Sequence, residues 1–113
     1  MIQRGDIWWA NIPPPTGSEP GYRRPVLIVQ TDPFNQSGIG TVVGVAFTAN
    51  LKLAGAPGNV LCRKRYTGLN MDSVANVSQL TALDKRWLDT RVSTLPPDLL
   101  HQIEDGLRLL LGL

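Results

Sequence analysis

Proline and glycine cut the first 95 residues of this chain into short segments, and that punctuation limits what the chain can fold into. Pro13-Pro14-Pro15 and the following Thr16-Gly17-Ser18-Glu19-Pro20-Gly21 cannot hold regular structure, because proline lacks a backbone donor and glycine lacks conformational restraint. They form a long first loop, a feature that compact domains often use for function. Further breaks fall at Thr31–Gly40, Ala54–Gly58 and Thr67–Asn70. Between them lie short apolar and β-branched runs that read as strands: Asp6–Ile12, Pro25–Gln30, Thr41–Thr48, Asn59–Arg65, Ser73–Leu80 and Arg91–Leu95. Short strands at regular spacing predict a small barrel or sandwich. A helical turn is expected to start at Asp84, whose carboxylate can cap it.

The only helix-length pattern closes the chain. Pro97 suits a first helical position, and Leu99, Leu100, Ile103, Leu107 and Leu110 fall on one stripe. Asp98 in the first turn and Arg108 near the last complement the helix dipole, and Glu104 and Arg108 are spaced as an i,i+4 ion pair. The expected fold class is therefore mainly β with a C-terminal helix laid over a mostly antiparallel barrel. With 113 residues, 42% of them hydrophobic, the chain is long enough for one core and is expected to be a single domain, residues 1–113.

A net charge of +2 excludes binding by bulk charge alone, yet the charge is unevenly placed. Residues 1–95 carry ten basic side chains against six acidic ones, while residues 96–113 carry Arg108 against Asp98, Glu104 and Asp105. Most of the basic residues are arginines, which suit bidentate phosphate contact; they equally serve as ordinary surface solubilisation. The single cysteine, Cys62, has no intramolecular disulfide partner. Met1–Asp6 lacks the apolar stretch of a signal peptide, and no apolar run approaches the roughly 20 residues of a membrane span. A soluble, cytoplasmic protein with no membrane association is expected.

Much familiar chemistry is absent. One histidine, His101, and one cysteine leave no clustered metal-ligand spacing, so no metal or other cofactor is expected. There is no GxxxxGK[ST] or GxGxxG phosphate loop. A nucleophile–His arrangement would have to draw on His101 within the C-terminal helix, where a solvent-facing role fits better. What remains are polar groups at strand ends. Ser18, Glu19, Arg23 and Arg24 precede the second strand, Thr48 ends the third, and Asn50 follows it. Arg63-Lys64-Arg65-Tyr66 is the densest basic run. Read as strand, it sets Arg63 and Arg65 on one face, with Tyr66 near enough to stack on a base; the same charges also guard an edge strand against aggregation.

Several segments together resemble the MazF/PemK (Kid) family of bacterial toxins: Arg4-Gly5-Asp6-Ile7-Trp8-Trp9, Gly17-Ser18-Glu19-Pro20-Gly21, Arg24-Pro25-Val26-Leu27, Thr48, Asp72–Leu80, Asp84-Lys85 and Gly106–Leu113. The resemblance runs almost end to end. It implies an SH3-like small barrel of the MazF/CcdB type, a homodimer, and a cognate MazE-like antitoxin whose acidic tail fills the RNA groove. It also implies metal-independent, sequence-specific cleavage of single-stranded RNA, chiefly mRNA, to 2′,3′-cyclic phosphate and 5′-hydroxyl ends.

Carried over by position, Arg24, Thr48 and Glu19 are the catalytic candidates. Arg24 is expected to bind the scissile phosphate, although arginine is an awkward proton donor because its pKa lies above about 12. Thr48 is expected to donate to a non-bridging oxygen, and Glu19 either to accept the 2′ proton or to orient Arg24. Gln79 matches an RNA-contact position and carries an amide suited to a base edge; Arg23, Ser18, Asn50, Arg63 and Arg65 complete the RNA-binding candidates. The loops Thr31–Gly40 and Leu51–Pro57 are expected to set base preference. Trp87 departs from the pattern, standing where many members carry arginine, and is expected to alter packing or the dimer edge rather than chemistry. Two other readings share the fold: a non-enzymatic, CcdB-like toxin that binds DNA gyrase, and an RNA-binding module without turnover. Leu109-Leu110-Leu111-Gly112-Leu113 either packs on its own barrel or offers an apolar surface to a second copy.

Overall fold

A computed structural model describes residues 1–113. Six strands, β1 (Asp6–Ile12), β2 (Tyr22–Ile28), β3 (Thr41–Thr48), β4 (Val60–Cys62), β5 (Ser73–Asp84) and β6 (Leu88–Thr94), form one antiparallel sheet in the order β4-β5-β3-β2-β1-β6. Three helices complete the chain: one-turn α1 (Asp32–Asn35) and α2 (Lys64–Thr67), and the long C-terminal α3 (Pro97–Leu111). The sheet is curled, and both of its faces are apolar. Ile7, Leu27, Val45, Phe47, Ala75 and Val77 form the larger core with Ile103 of α3. The reverse face gathers Ala10, Val26, Ile28, Val42 and Leu83, walled by Trp8, Ile12 and Trp87. The adjacent tryptophans thus divide between the two cores, as strand alternation requires.

Several expected boundaries moved. β2 begins at Tyr22, three residues before the apolar run, because Tyr22, Arg23 and Arg24 pair with Ile12, Asn11 and Ala10 of β1. β5 continues past Leu80 to Asp84, and β6 starts at Leu88 rather than Arg91. The fourth strand stops at Cys62: Arg63 is the N-cap of α2, which Gly68 ends at φ 78°, a left-handed conformation that glycine adopts without a Cβ penalty. Arg63 and Arg65 are therefore not neighbours on a strand face. The turn at Asp84 forms as expected, its carboxylate accepting from the Arg86 N–H at 2.9 Å. The Arg86 guanidinium holds that carboxyl well down, at about 2.

Helix α3 lies close to the sheet because two glycines meet. A Cβ at Gly106 would sit 2.1 Å from the Gly58 carbonyl oxygen. The expected Glu104–Arg108 pair does not form. Arg108 bonds Asp105 at 2.8 Å, and Glu104 instead receives the Arg4 guanidinium, which also donates to the Val29 carbonyl. A partner at the other end of the chain takes Glu104 away from its helical neighbour. Leu109, Leu110, Leu111 and Leu113 are all exposed, so the C-terminal leucines do not pack on their own sheet. His101 is exposed, and no helix is long and apolar enough to cross a membrane.

The Gly106 contact supports a first prediction. Alanine there gains about 1 kcal/mol of helix propensity but forces α3 off a rigid backbone neighbour, an overpacking cost of typically 1–3 kcal/mol. Gly106→Ala is therefore expected to be destabilising by up to about 2 kcal/mol in urea unfolding. Equal or greater stability would mean that the helix can shift freely.

Candidate functional site

The first loop delivers two arginines to β2, and strand alternation separates them. Arg23 shares a face with Pro25 and Trp9; its guanidinium lies 4.5 Å over the Trp9 ring. Its Nε and Nη2 donate to Asp89 at 3.2 and 3.1 Å, which draws the Asp89 carboxyl below its ordinary pKa. Arg24 points to the reverse face, the side of Val26 and Ala10. It is half-buried, and its only side-chain hydrogen bond runs from Nε to the Gly21 carbonyl at 3.1 Å. Most of its fork is left uncommitted.

The β2–β3 register pairs Val26 with Ala46 and Ile28 with Gly44. The paired register stops at Val26 and Ala46; Arg24 precedes Val26 by two residues on β2, and Thr48 follows Ala46 by two at the end of β3. Thr48 Oγ1 accepts the Asn50 N–H at 3.2 Å, so its own proton is directed elsewhere and is free to be donated. Thr81 pairs with Gly44 and Leu80 with Val45, and Gln79 is half-buried at the irregularity where the β3–β5 register then shifts. Arg24, Thr48 and Gln79 thus come from three neighbouring strands, β2, β3 and β5.

Glu19 lies in the loop between β1 and β2. It borders a cavity of ≈190 Å³ that Pro14, Pro15, Thr81 and Trp87 help to line. Its carboxylate makes no bond to Arg24. Instead it accepts from Thr16 N–H at 3.3 Å, Thr16 Oγ1 at 2.9 Å and Gly17 N–H at 2.6 Å. Its own backbone N–H, then the Thr16 hydroxyl and the Thr16 and Gly17 amides, lower its pKa by stabilising the charged form. Ser18 is exposed in the same loop. Asn50 caps the 3₁₀ turn Leu51–Gly55, its side chain accepting from the Lys52 N–H.

The basic run lies on α2. Arg63 donates to Asp72 at 3.0 Å, Asp72 also accepts the Lys64 N–H at 2.8 Å, and Arg65 stacks on Tyr66 at 4.7 Å. These residues form a separate patch, linked to Thr48 through the segment before β5. There Leu69, Asn70 and Met71 line a second cavity of ≈170 Å³ with Thr48, Trp9 and Pro25. No three His, Cys, Asp or Glu side chains cluster as metal ligands. Cys62 is buried, which pushes its thiol up to about 11, so it is a packing residue. Trp87 stands beside the second core and the Glu19 cavity. The sequence reading did not single out Thr16, Thr81 or Asp89. Only Thr16 offered a local signal, a hydroxyl three residues before a carboxylate.

Comparison with known proteins places this geometry in a family. The model of the PemK-like, MazF-like toxins of type II toxin–antitoxin systems matches residues 3–111. The chain is 44% identical over its whole length to Endoribonuclease MazF2 of Mycobacterium bovis and to Endoribonuclease MazF6 of Mycobacterium tuberculosis, covering 99% of each. The crystal structure of MazF from Deinococcus radiodurans superposes with a TM-score of 0.84 at 26% identity, over 99% of this chain and 97% of that one. A MazE–MazF complex from the same organism gives a TM-score of 0.79 at 26% identity, over 99% and 96%. A match from residue 3 to residue 111, joined to full-length identity with two endoribonucleases, means that the chain belongs to the PemK-like, MazF-like toxin family of type II toxin–antitoxin systems.

Proposed function

We propose that this protein is the toxin of a type II toxin–antitoxin pair and an endoribonuclease that cuts single-stranded RNA, chiefly mRNA in the cytoplasm, at preferred sequences and without a metal ion. In this reading residues 1–113 are one SH3-like barrel domain, active as a homodimer and restrained by a MazE-like antitoxin. The observation that carries the reading is the half-buried Arg24, with most of its guanidinium uncommitted, on the strand beside the one that Thr48 ends, in a relative of two endoribonucleases. The exposed C-terminal leucines are suited to a second copy.

The chemistry needs no protein nucleophile. The RNA 2′-oxygen attacks the adjacent phosphorus, a bond from O2′ to phosphorus forms, and the bond to O5′ breaks. The 2′ proton must be accepted and the departing 5′ oxygen must gain one. Charge accumulates on the non-bridging oxygens of the five-coordinate phosphorus. Arg24 and the Thr48 hydroxyl are the donors aimed at that charge, and such preorganised donors supply most of the stabilisation in reactions of this type. Glu19 contributes either as acceptor of the 2′ proton or by orienting Arg24. Gln79 reads a base edge, while Ser18, Arg23, Asn50, Arg63 and Arg65 supply the flanking RNA contacts.

The test is incubation of the purified protein with a long single-stranded RNA in EDTA, with the fragment ends analysed. Discrete cuts that leave cyclic phosphate and 5′-hydroxyl ends are expected. Intact RNA together with inhibition of DNA gyrase would instead identify a CcdB-like poison, and RNA bound but uncut would identify a module without turnover. Binding should also weaken with salt. If two phosphates of a single strand are neutralised, counterion release predicts about a tenfold loss of RNA affinity between roughly 50 and 300 mM salt; an affinity indifferent to salt would remove arginine–phosphate contact from the account.

A further inference from the structure

We propose that Thr16 and Glu19 form a clip that fixes the β1–β2 loop and, through the Gly21 carbonyl, aims the Arg24 guanidinium; Thr16 is thereby a positioning residue for the ribonuclease reaction. The inference rests on the ribonuclease reading for its catalytic consequence, but its geometric content is independent of it. The chain of contacts is continuous. The Glu19 carboxylate takes three donors from Thr16 and Gly17, which closes the loop on itself. Gly21 is packed so tightly on Pro15 that a Cβ there would meet the proline ring at 2.2 Å. Tyr22, next in sequence, has φ 62°, a left-handed conformation that a bulky residue holds only when its surroundings impose it. Gly21 then presents its carbonyl to Arg24 Nε at 3.1 Å.

The strained joint at Tyr22 and the clip at Glu19 are therefore two ends of one short device. The joint turns the chain into β2, and the clip keeps it turned. The carboxylate of Glu19 already accepts from the groups that hold the loop, and it makes no bond to Arg24. A group engaged in this way acts on Arg24 through the backbone rather than as the base that removes the 2′ proton. The pH behaviour follows. The folded pKa of Glu19 is depressed, so the clip is intact above the ordinary glutamate pKa and opens only as pH falls through the lowered value. At neutral pH it is closed.

Two variants and one spectroscopic readout test the proposal. Thr16→Val removes the hydroxyl but keeps the shape, and Glu19→Gln keeps the shape but weakens the acceptor. Both residues are exposed in a loop, so both variants are expected to fold. The Arg24 Nε–H resonance should shift and exchange faster with water in each variant, and stay unchanged in Ser18→Ala. Cleavage of a labelled oligonucleotide spanning a mapped cut should fall about tenfold in each, and the double variant should be no slower than either one, because two residues acting through one contact are not additive. Between about pH 5.5 and 8 the rate profile of Glu19→Gln should keep the wild-type shape at a lower level. An unchanged Arg24 resonance in both variants overturns the clip. So does a Glu19→Gln enzyme that alone loses the acid limb of the profile while Thr16→Val cuts at the wild-type rate, since Glu19 is then the base. If wild-type protein cuts no RNA while the resonance still shifts in both variants, the ribonuclease reading fails and the clip stands.

Discussion

Arg24→Ala is expected to lower the single-turnover rate of RNA cleavage by at least about 100-fold, and toward 1,000-fold, the range seen when one preorganised donor to a developing oxyanion is removed. Folding should survive. Arg24 is only half-buried, and its side chain makes a single hydrogen bond, to the Gly21 carbonyl; the β1–β2 ladder that holds its backbone does not depend on the guanidinium. Thermal melting within a few degrees of wild type, with cleavage lost, is the expected pair of results. Arg24→Lys should recover only a part of the rate, because an ammonium keeps the charge but not the planar fork. Cleavage at the wild-type rate in Arg24→Ala would move the reaction centre away from this face.

Asp6→Ala is expected to have the largest effect on stability. Asp6 is 1% exposed. Its carboxylate accepts from Gln3 N–H at 3.0 Å, Trp8 Nε1 at 3.3 Å and Thr94 Oγ1 at 3.3 Å, and Arg91 Nε lies 3.3 Å away. It ties the N-terminal turn, β1 and β6 together. Arg91 is half-exposed, so water screens that ion pair. The cost comes mainly from stranding buried donors, each worth about 1–3 kcal/mol when left unpaired. A loss of about 2–4 kcal/mol is expected, and with it a fall in melting temperature of about 10–25 °C for a domain of this size. Asp6→Asn keeps an acceptor and should lose less. A melting point unchanged in Asp6→Ala would mean that water replaces the carboxylate at no cost.

Much of the architecture was legible where its cause is local. The apolar stripe and Pro97 announce α3, the punctuated β-branched runs announce β1 and β3, and Asp84 announces its own turn. What the sequence concealed has non-local causes. Tyr22, Arg23 and Arg24 become strand because β1 pairs with them, although they lack the apolar character of a strand. Arg63 to Tyr66 leave the strand because Gly68 supplies a left-handed stop and Asp72 accepts from both Arg63 and Lys64. Glu104 has a suitable partner four residues along its helix, yet Arg4 reaches it from the opposite end of the chain. The candidate site divides in the same way. Arg24, Thr48, Glu19 and Gln79 were named by resemblance, whereas the alternation that parts Arg23 from Arg24 became decisive only once β2 was known to begin at Tyr22.

The sheet order sets β1 beside β6, the first strand against the last, and the Arg4–Glu104 bond closes the chain on itself once more. Contacts between residues so distant in sequence form late and slowly, because the loop between them must be ordered first. Ile7 and Ile103 belong to one core, so a partly synthesised chain emerging from the ribosome has no means of completing that core. That core is completed only after α3, which carries Ile103, has been made.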